Sequence, residues 1–271
     1  MHAAGEHLKR IRERTPLIHH ITNWVVTNFT ANVTLALGAS PVMAHAPEEV
    51  EEMASCAGAL VINIGTLTLP LVETALRAGR AANASGVPVV LDPVGAGATR
   101  LRTESASRIL NETKVNVIRG NLSEVASLAG EDVAIRGVDS AATGIDASRL
   151  AFSLARRLDC TVAVTGPVDW ISDGNGLYSV HNGHPLLGRV TGTGCAATAV
   201  VAAFAAVEKD LASAAASGLA FFGLAAERAA KEAPGPGTFA TRLLDEIYAI
   251  SQEDLARGAR VKRLEAGQDE A

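Results

Sequence analysis

The stretch VPVVLDPVGAGAT, residues 87–99, decides the fold class of this chain. It opens with a continuous apolar run, residues 87–91, and passes through Asp92 into a loop that is rich in glycine. A short continuous apolar run that is rich in valine is typical of a parallel strand with helices on both of its faces. Open α/β sheets bind ligands outside the carboxyl ends of such strands, so chemistry is expected in the loop that starts at Asp92.

Similar apolar runs recur along the chain and alternate with helical patterns. The predicted strands are residues 17–21, 60–64, 87–91, 115–118 and 161–165. The predicted helices are residues 47–57, 69–84, 103–111 and 148–158, an alanine-rich helical region at 195–231, and a last helix at 238–250. This alternation predicts a doubly wound, mostly parallel α/β sheet with helices on both faces. Residues 1–271 are expected to form a single domain, of which the charged end, residues 258–271, is a frayed tail.

Composition and charge exclude several classes of protein. The formal net charge is −5 and the pI is about 5.8, so no global basic surface is available and nucleic acid is not expected as a partner. The three cysteines show no C-x-x-C spacing, which argues against a disulfide framework or a zinc site and favours a cytoplasmic location. No signal pattern is seen at the N-terminus, and no apolar run reaches the roughly 18 residues of a membrane span, so no membrane contact is expected.

The strongest local motif is VTGTGC, residues 190–195, which opens a long helical region. Glycines let the backbone approach a ligand, and the unpaired N–H groups of a helix start attract negative charge, so the motif is suited to a phosphate. A glycine-rich turn before a buried helix is an alternative. Gly192, Gly194 and Ala197 also satisfy the dinucleotide fingerprint G-x-G-x-x-A, but that reading requires a second strand where this sequence stays helical.

Two further segments carry charged residues at predicted strand ends. Asp92 suits a Mg²⁺ site, because this ion needs only one or two carboxylates and keeps most of its waters; a turn built on Asp-Pro is the alternative. In RGNLSE, residues 119–124, Arg119 follows an apolar strand and suits a phosphate group. Asn121 and Glu124 lie on one face of a helical turn and suit metal-bound water, or else form a capping box.

Two N-terminal segments suit a small heterocyclic ligand. HHITNW, residues 19–24, and SPVMAH, residues 40–45, offer Asn23, Thr22 and the polarizable side chain of Met43. The histidines of these segments are better explained by capping or core roles than by a metal site, because no third metal ligand stands at a usual spacing.

Taken together in order, these motifs resemble the hydroxyethylthiazole kinase family of thiamine biosynthesis and salvage. The matching stretches are residues 20–23, 38–44, 91–99, 119–121, 164–166 and 190–195. The resemblance implies a ribokinase-like fold, a homotrimer with active sites between subunits, and Mg²⁺-dependent transfer of phosphate from ATP to the hydroxyl of 4-methyl-5-(2-hydroxyethyl)thiazole.

The resemblance also implies roles for individual residues. Those implied for the thiazole are Met43, Gly192 and Asn23. Those implied for ATP are Arg119 and Thr165. The environment of Mg²⁺ and phosphate is implied to consist of Asp92, Asn121 and Glu124, with Glu124 acting through water. Cys195 stands where most ribokinase-like enzymes place an aspartate base, and packing beside the alanines that follow it is the alternative.

Two competing functions remain open at the level of the sequence. A kinase for another alcohol, such as hydroxymethylpyrimidine, is disfavoured by Asn23 and Met43. A protein that binds the thiazole without catalysis is disfavoured because binding alone needs neither Asp92 nor Arg119.

Overall fold

The computed structural model describes residues 3–130 and 144–265 of the chain. Within these residues, nine strands form one sheet in the order β2-β1-β3-β4-β5-β6-β7-β8-β9. The strands are β1 Leu17–Ile21, β2 Ser40–Val42, β3 Ala59–Asn63, β4 Val89–Asp92, β5 Val117–Asn121, β6 Thr161–Thr165, β7 Asp169–Ser172, β8 Gly176–Val180 and β9 Val261–Glu265. Neighbouring strands from β2 to β6 pair in parallel, and those from β6 to β9 pair antiparallel.

Helices cover both faces of this sheet. They are α1 Ala4–Arg14, α2 Thr27–Leu37, α3 Val50–Cys56, α4 Leu69–Ala84, α5 Arg100–Glu112, α6 Leu122–Ala129, α7 Ala147–Leu158, α8 Thr193–Ala205, α9 Leu211–Ala230, α10 Pro236–Ala249 and α11 Gln252–Gly258, with a 3-10 helix at Pro185–Arg189. One hydrophobic core lies between the sheet and α1, α2 and α8 to α11, and a second lies between the sheet and α3 to α7. The predicted doubly wound, mostly parallel α/β architecture is confirmed.

Most of the predicted elements are present at nearly the predicted positions. The strands at 17–21 and 161–165 and the helix at 69–84 have the predicted bounds. The other predicted strands, and the helices other than the long region after residue 195, begin and end within three residues of their predicted bounds. Continuous apolar runs and helical periodicity are the signals that located them.

The region predicted to be helical at 195–231 is helical in the structure, but it is divided into two helices. α8 ends at Ala205, and α9 begins after Asp210, whose side chain accepts a hydrogen bond from the backbone N–H of Ser213. An aspartate in this N-cap position starts a new helix and explains the break. α8 and α9 are rich in alanine. Neither they nor any other helix within residues 3–130 and 144–265 is long and apolar enough to cross a membrane.

The frayed tail predicted at 258–271 is wrong for its first part. Residue 258 ends α11, and Val261–Glu265 forms β9, which pairs antiparallel with β8. The added strand supplies backbone partners to β8, which would otherwise be an open edge. Residues 266–271 lie outside the described residues.

Candidate active site

Four polar side chains stand at the carboxyl ends of adjacent strands and share one face of the sheet: Asn63, Asp92, Arg119 and Thr165. The residue before each packs into the core on the α3 to α7 side: Ile62, Leu91, Ile118 and Val164. Because successive side chains of a strand point to opposite faces, the four polar groups point towards α8. Asn63 Nδ2 donates to Asp92 Oδ2 over 2.8 Å, and Arg119 Nη2 donates to Thr165 Oγ1 over 2.7 Å.

The start of α8 lies over these strand ends. Gly192, its N-cap residue, has a φ of +85°, and a Cβ at this position would lie 2.8 Å from a methyl carbon of Val26. A Cβ on Gly194 would lie 3.0 Å from a guanidinium nitrogen of Arg119, so glycine allows the arginine to approach the helix. The first amides of a helix have no helical acceptor and face this opening. The dinucleotide interpretation of this motif is wrong, because α8 leads into α9 instead of a strand.

The carboxyl group of Asp92 is buried against the second turn of α8. Its Oδ2 accepts hydrogen bonds from Asn63 Nδ2 and, over 2.9 Å, from Thr198 Oγ1. Burial raises the pKa of Asp92, while the charge of Arg119 and the two donors oppose this rise. An ionised carboxylate that is buried in this way is stabilised by a cation placed against it.

Cys195 lies in the first turn of α8, half-buried beside the same carboxylate. Asn23 Nδ2 donates to its Sγ over 3.5 Å. Burial raises the pKa of the Cys195 thiol to about 12, and the negative charge of Asp92 acts in the same direction. The field of a helix start acts in the opposite direction and favours a thiolate. Burial and the charge of Asp92 together favour the neutral thiol.

Arg119 spans the gap between β6 and the start of α8. Its Nη2 donates to Thr165 Oγ1, which in turn donates to the carbonyl of Gly120 over 3.2 Å. The Nε of Arg119 is buried and has no hydrogen-bond partner. Buried polar groups are normally satisfied, so this arginine retains capacity for a further acceptor. The structure thus joins the two residues implied for ATP.

The capping-box alternative for Asn121 and Glu124 is confirmed. Asn121 Oδ1 accepts from the N–H of Glu124, and Glu124 Oε2 accepts from the N–H of Asn121, both over 2.9 Å. Glu124 Oε1 also accepts from the N–H of Gly95 over 2.9 Å. The same carboxylate therefore starts α6 and holds the glycine-rich loop after β4 near Asp92.

Asn23 and Met43 occupy different places relative to this cluster. Asn23 is buried after β1, and its Nδ2 donates to Asn63 Oδ1 over 2.8 Å as well as to Cys195. Met43 directly follows β2 at the edge of the sheet and is half-buried. The structure thus brings Asn23, but not Met43, into hydrogen-bonding contact with the central residues.

Two residues of the cluster were not among the candidates from the sequence. Asn63, 2% exposed, joins Asn23 to Asp92, and its Oδ1 also accepts from the N–H of Gly65 over 2.9 Å. Thr198 stands four residues after Gly194, on the same face of α8. Both were detectable: Asn63 is the polar end of an apolar run, and the helical period places Thr198 beneath the glycine motif.

The model of the hydroxyethylthiazole kinase family matches residues 8–253. A hydroxyethylthiazole kinase from Desulfotalea psychrophila is 56% identical over 263 residues, which are 97% of this chain and 96% of that protein. One from Moorella thermoacetica is 54% identical, over 94% of this chain and 96% of that protein.

Solved structures agree with these matches. A hydroxyethylthiazole kinase protein from Pyrococcus horikoshii has a TM-score of 0.90 at 48% identity and covers 97% of this chain and 99% of its own. A ribokinase-like superfamily protein from Enterococcus faecalis has a TM-score of 0.65 at 12% identity, over 92% of this chain and 95% of its own. The second likeness shows the fold alone, which is ribokinase-like. With most of its length matched and relatives above half identity, the chain belongs to the hydroxyethylthiazole kinase family.

Proposed function

We propose that the chain transfers the γ-phosphoryl group of ATP to the hydroxyl of 4-methyl-5-(2-hydroxyethyl)thiazole, in thiamine biosynthesis and salvage. The names of its close relatives support this substrate. The observation that carries the proposal is the grouping of Asp92, Arg119 and Cys195 around the start of one glycine-capped helix. Phosphoryl transfer needs mainly positioning and neutralisation of charge, and this grouping offers both.

The nucleotide is assigned to the side of Arg119 and Thr165. The guanidinium group of Arg119 lies beside the first turn of α8, and both the cation and the helix start attract phosphate oxygens. Thr165 holds the guanidinium in place through its hydroxyl. We assign the phosphates to the space between Arg119 and the amides of residues 193–195.

Mg²⁺ is assigned to the space between Asp92 and Glu124, with Asn121 beside it. Asp92 and Glu124 lie close enough for the charge of Glu124 to raise the pKa of Asp92. Two carboxylates fit a magnesium ion, because this ion keeps water molecules in its remaining coordination positions. No group of three histidine, cysteine or acidic side chains within residues 3–130 and 144–265 forms a metal cluster. When bound, Mg²⁺ supplies neutralisation of phosphate charge. Asp92 would hold it directly and Glu124 through water.

The thiazole alcohol is assigned to the side of Asn23, Met43 and Gly192. Its hydroxyl then lies near Cys195, whose sulfur accepts a hydrogen bond from Asn23 and takes the hydroxyl proton only in the thiolate form. The raised pKa disfavours that form, but a loose transition state asks for little early deprotonation, so the demand on the cysteine as a base is small.

Assembly and location follow the family. Trp24 and Val25, next to Asn23, are each 64% exposed, and such apolar residues beside a site suit coverage by a second subunit. We therefore propose a homotrimer with active sites at the subunit interfaces. The cysteines at 56, 160 and 195 are free thiols, which suits the cytoplasm.

A coupled ADP-release assay tests the proposal. We expect ADP release that requires both the thiazole alcohol and Mg²⁺. Faster ADP release with hydroxymethylpyrimidine than with the thiazole alcohol would favour a hydroxymethylpyrimidine kinase. Binding of the thiazole without ADP release would favour a sensor protein, and either result would overturn the proposal.

A further inference from the structure

The ring of His45 lies between two backbone groups at the ends of β1 and β2. Its Nδ1 is 3.0 Å from the carbonyl oxygen of Met43, and its Nε2 is 3.1 Å from the backbone nitrogen of Thr22. A carbonyl oxygen only accepts, and a peptide N–H only donates. The tautomer with the proton on Nδ1 makes both contacts, so both ring nitrogens are used.

This ring joins two loops that the sheet itself leaves separate. Pairing between β1 and β2 ends at His19 and Val42, before either loop begins. His45 continues the connection beyond that pair by holding Thr22, which precedes Asn23. The ring of Trp24 contacts that of His45 at a tilt of 34°, with 5.2 Å between the ring centres, and the backbone N–H of Trp24 donates to Thr66 Oγ1.

We infer that His45 is a positioning residue for the thiazole alcohol, because it fixes Met43 against the loop that carries Asn23. This inference rests on the proposed function and explains how two residues implied for one heterocycle, 20 positions apart, form a single pocket. Met43 has no hydrogen bond to the central cluster, whereas its backbone is tied through His45 to Thr22. Asn23, the next residue of this loop, donates a hydrogen bond to Cys195, so the position of the loop also affects the position of Cys195. The ligand class is a small aromatic heterocycle bearing an alcohol.

Three substitutions of His45 separate the two bonds of its ring. The amide of His45→Gln reaches the position of Nε2 and retains an acceptor for Thr22, whereas that of His45→Asn reaches only the position of Nδ1. His45→Phe retains a ring for Trp24 and removes both bonds. His181→Asn, at the opposite edge of the sheet beside Ser179, is the matched control.

Steady-state kinetics then measure the split between substrates. We expect His45→Asn, which loses the bond to Thr22, to raise the KM for the thiazole alcohol about five- to tenfold, and His45→Phe, which loses both bonds, to raise it at least as much, with kcat and the KM for ATP changed less than about twofold in both variants. His45→Gln and His181→Asn should stay within about twofold of the parent. An unchanged thiazole KM in His45→Asn and His45→Phe, or equal changes in both KM values, would overturn the inference.

A second measurement does not depend on turnover. Long-range ¹H–¹⁵N spectra of the parent chain should show Nδ1 of His45 protonated and Nε2 unprotonated. A proton on Nε2 would overturn the inference even if the enzyme is active. If the parent chain turns over no thiazole, the proposed function fails and the substrate role of His45 fails with it, while this spectrum still decides whether the ring joins the two loops.

Discussion

The two sides of the proposed active site differ in how much of each a single chain provides. One flank, proposed for the nucleotide, is formed by Arg119 and Thr165, and the other, proposed for the thiazole, is formed by Asn23 and Met43. On the flank proposed for the nucleotide, Arg119 donates to Thr165, and Thr165 donates to the carbonyl of Gly120, all within the sheet. On the thiazole flank, Asn23 is buried, but the next two residues, Trp24 and Val25, are each 64% exposed. The difference teaches that the groups proposed for ATP are built inside the chain, whereas the pocket proposed for the alcohol lies beside exposed apolar residues that suit a neighbouring subunit.

The largest effect is expected at Cys195, which lies between the flanks. Cys195→Ala should lower kcat about a hundredfold, the lower end for a general base, and leave both KM values nearly unchanged. Cys195→Asp should retain most of kcat, since a carboxylate can take the same proton and accept from Asn23. Steady-state kinetics check both variants. A folded Cys195→Ala enzyme at the parental rate would show that the cysteine only packs beside the alanines of α8.

The next largest effect is confined to the nucleotide flank. Arg119→Ala should raise the KM for ATP about ten- to a hundredfold, because charge-assisted hydrogen bonds are lost, and should leave the thiazole KM nearly unchanged. Arg119→Lys keeps the positive charge but loses the planar guanidinium group, so its KM for ATP should lie between that of the parent and that of the alanine variant. Kinetics at varied ATP concentration measure this. An unchanged ATP KM in the folded alanine variant would place the nucleotide elsewhere.

The thiazole flank is tested through assembly. Val25→Asp places a charge on the exposed apolar surface, so we expect the trimer to dissociate and the thiazole KM to rise more than the ATP KM. Tyr248→Asp is the control, because this residue is 75% exposed and its carbonyl binds Arg12, near the amino ends of the strands. Sedimentation velocity measures assembly. A fully active parent monomer would refute the shared site.

The fold was predictable where one signal dominated. Continuous apolar runs located the central parallel strands, because both of their faces are buried. The antiparallel edge was not predicted. β7 and β8 are short, and their turn is marked by Asp173 and Gly174, with a φ of +84° at the glycine. β9 is charged, and its place depends on pairing with β8 across 80 residues of sequence, which no local pattern reveals.

The candidate site was predictable to a similar degree. Strand-end position located Asp92 and Arg119, because parallel strands bring their carboxyl ends to one edge, whereas Thr165 was implied only by the resemblance to the family. The sequence left the protonation of Cys195 open, since burial by distant parts of the chain decides it. The link from Asn23 through Asn63 to Asp92 depends on the pairing of three strands, and a linear pattern does not contain it.

The smallest effect on catalysis, but a clear one on stability, is expected at Asp169. Burial raises the pKa of this carboxyl to about 7. Between about pH 4 and 7 the folded chain binds a proton that the unfolded chain releases, so the free energy of unfolding rises as the pH falls through this window. At pH 8 the buried charge is destabilising. Asp169→Asn should therefore raise stability at pH 8 by a few kcal/mol, at about 1.4 kcal/mol per pKa unit, and change it little at pH 4.

Thermal melts at several pH values measure this difference. The asparagine retains an acceptor for the N–H of Gly166, so the comparison isolates the charge. Asp173→Asn, in the exposed turn between β7 and β8, is the matched control and should follow the parent. If the melting temperatures of Asp169→Asn and the parent differed by the same amount at every pH from 4 to 8, a buried charge on Asp169 would not be destabilising.

The central claim is transfer of phosphate from ATP to the thiazole alcohol at the start of α8. Phosphorus NMR of the parent chain with ATP, Mg²⁺ and the alcohol observes this transfer directly. We expect ADP and one phosphate monoester to appear in equal amounts, and neither to appear when EDTA replaces Mg²⁺ or when the alcohol is omitted. Inorganic phosphate in place of the monoester, or an unchanged ATP spectrum, would contradict the claim.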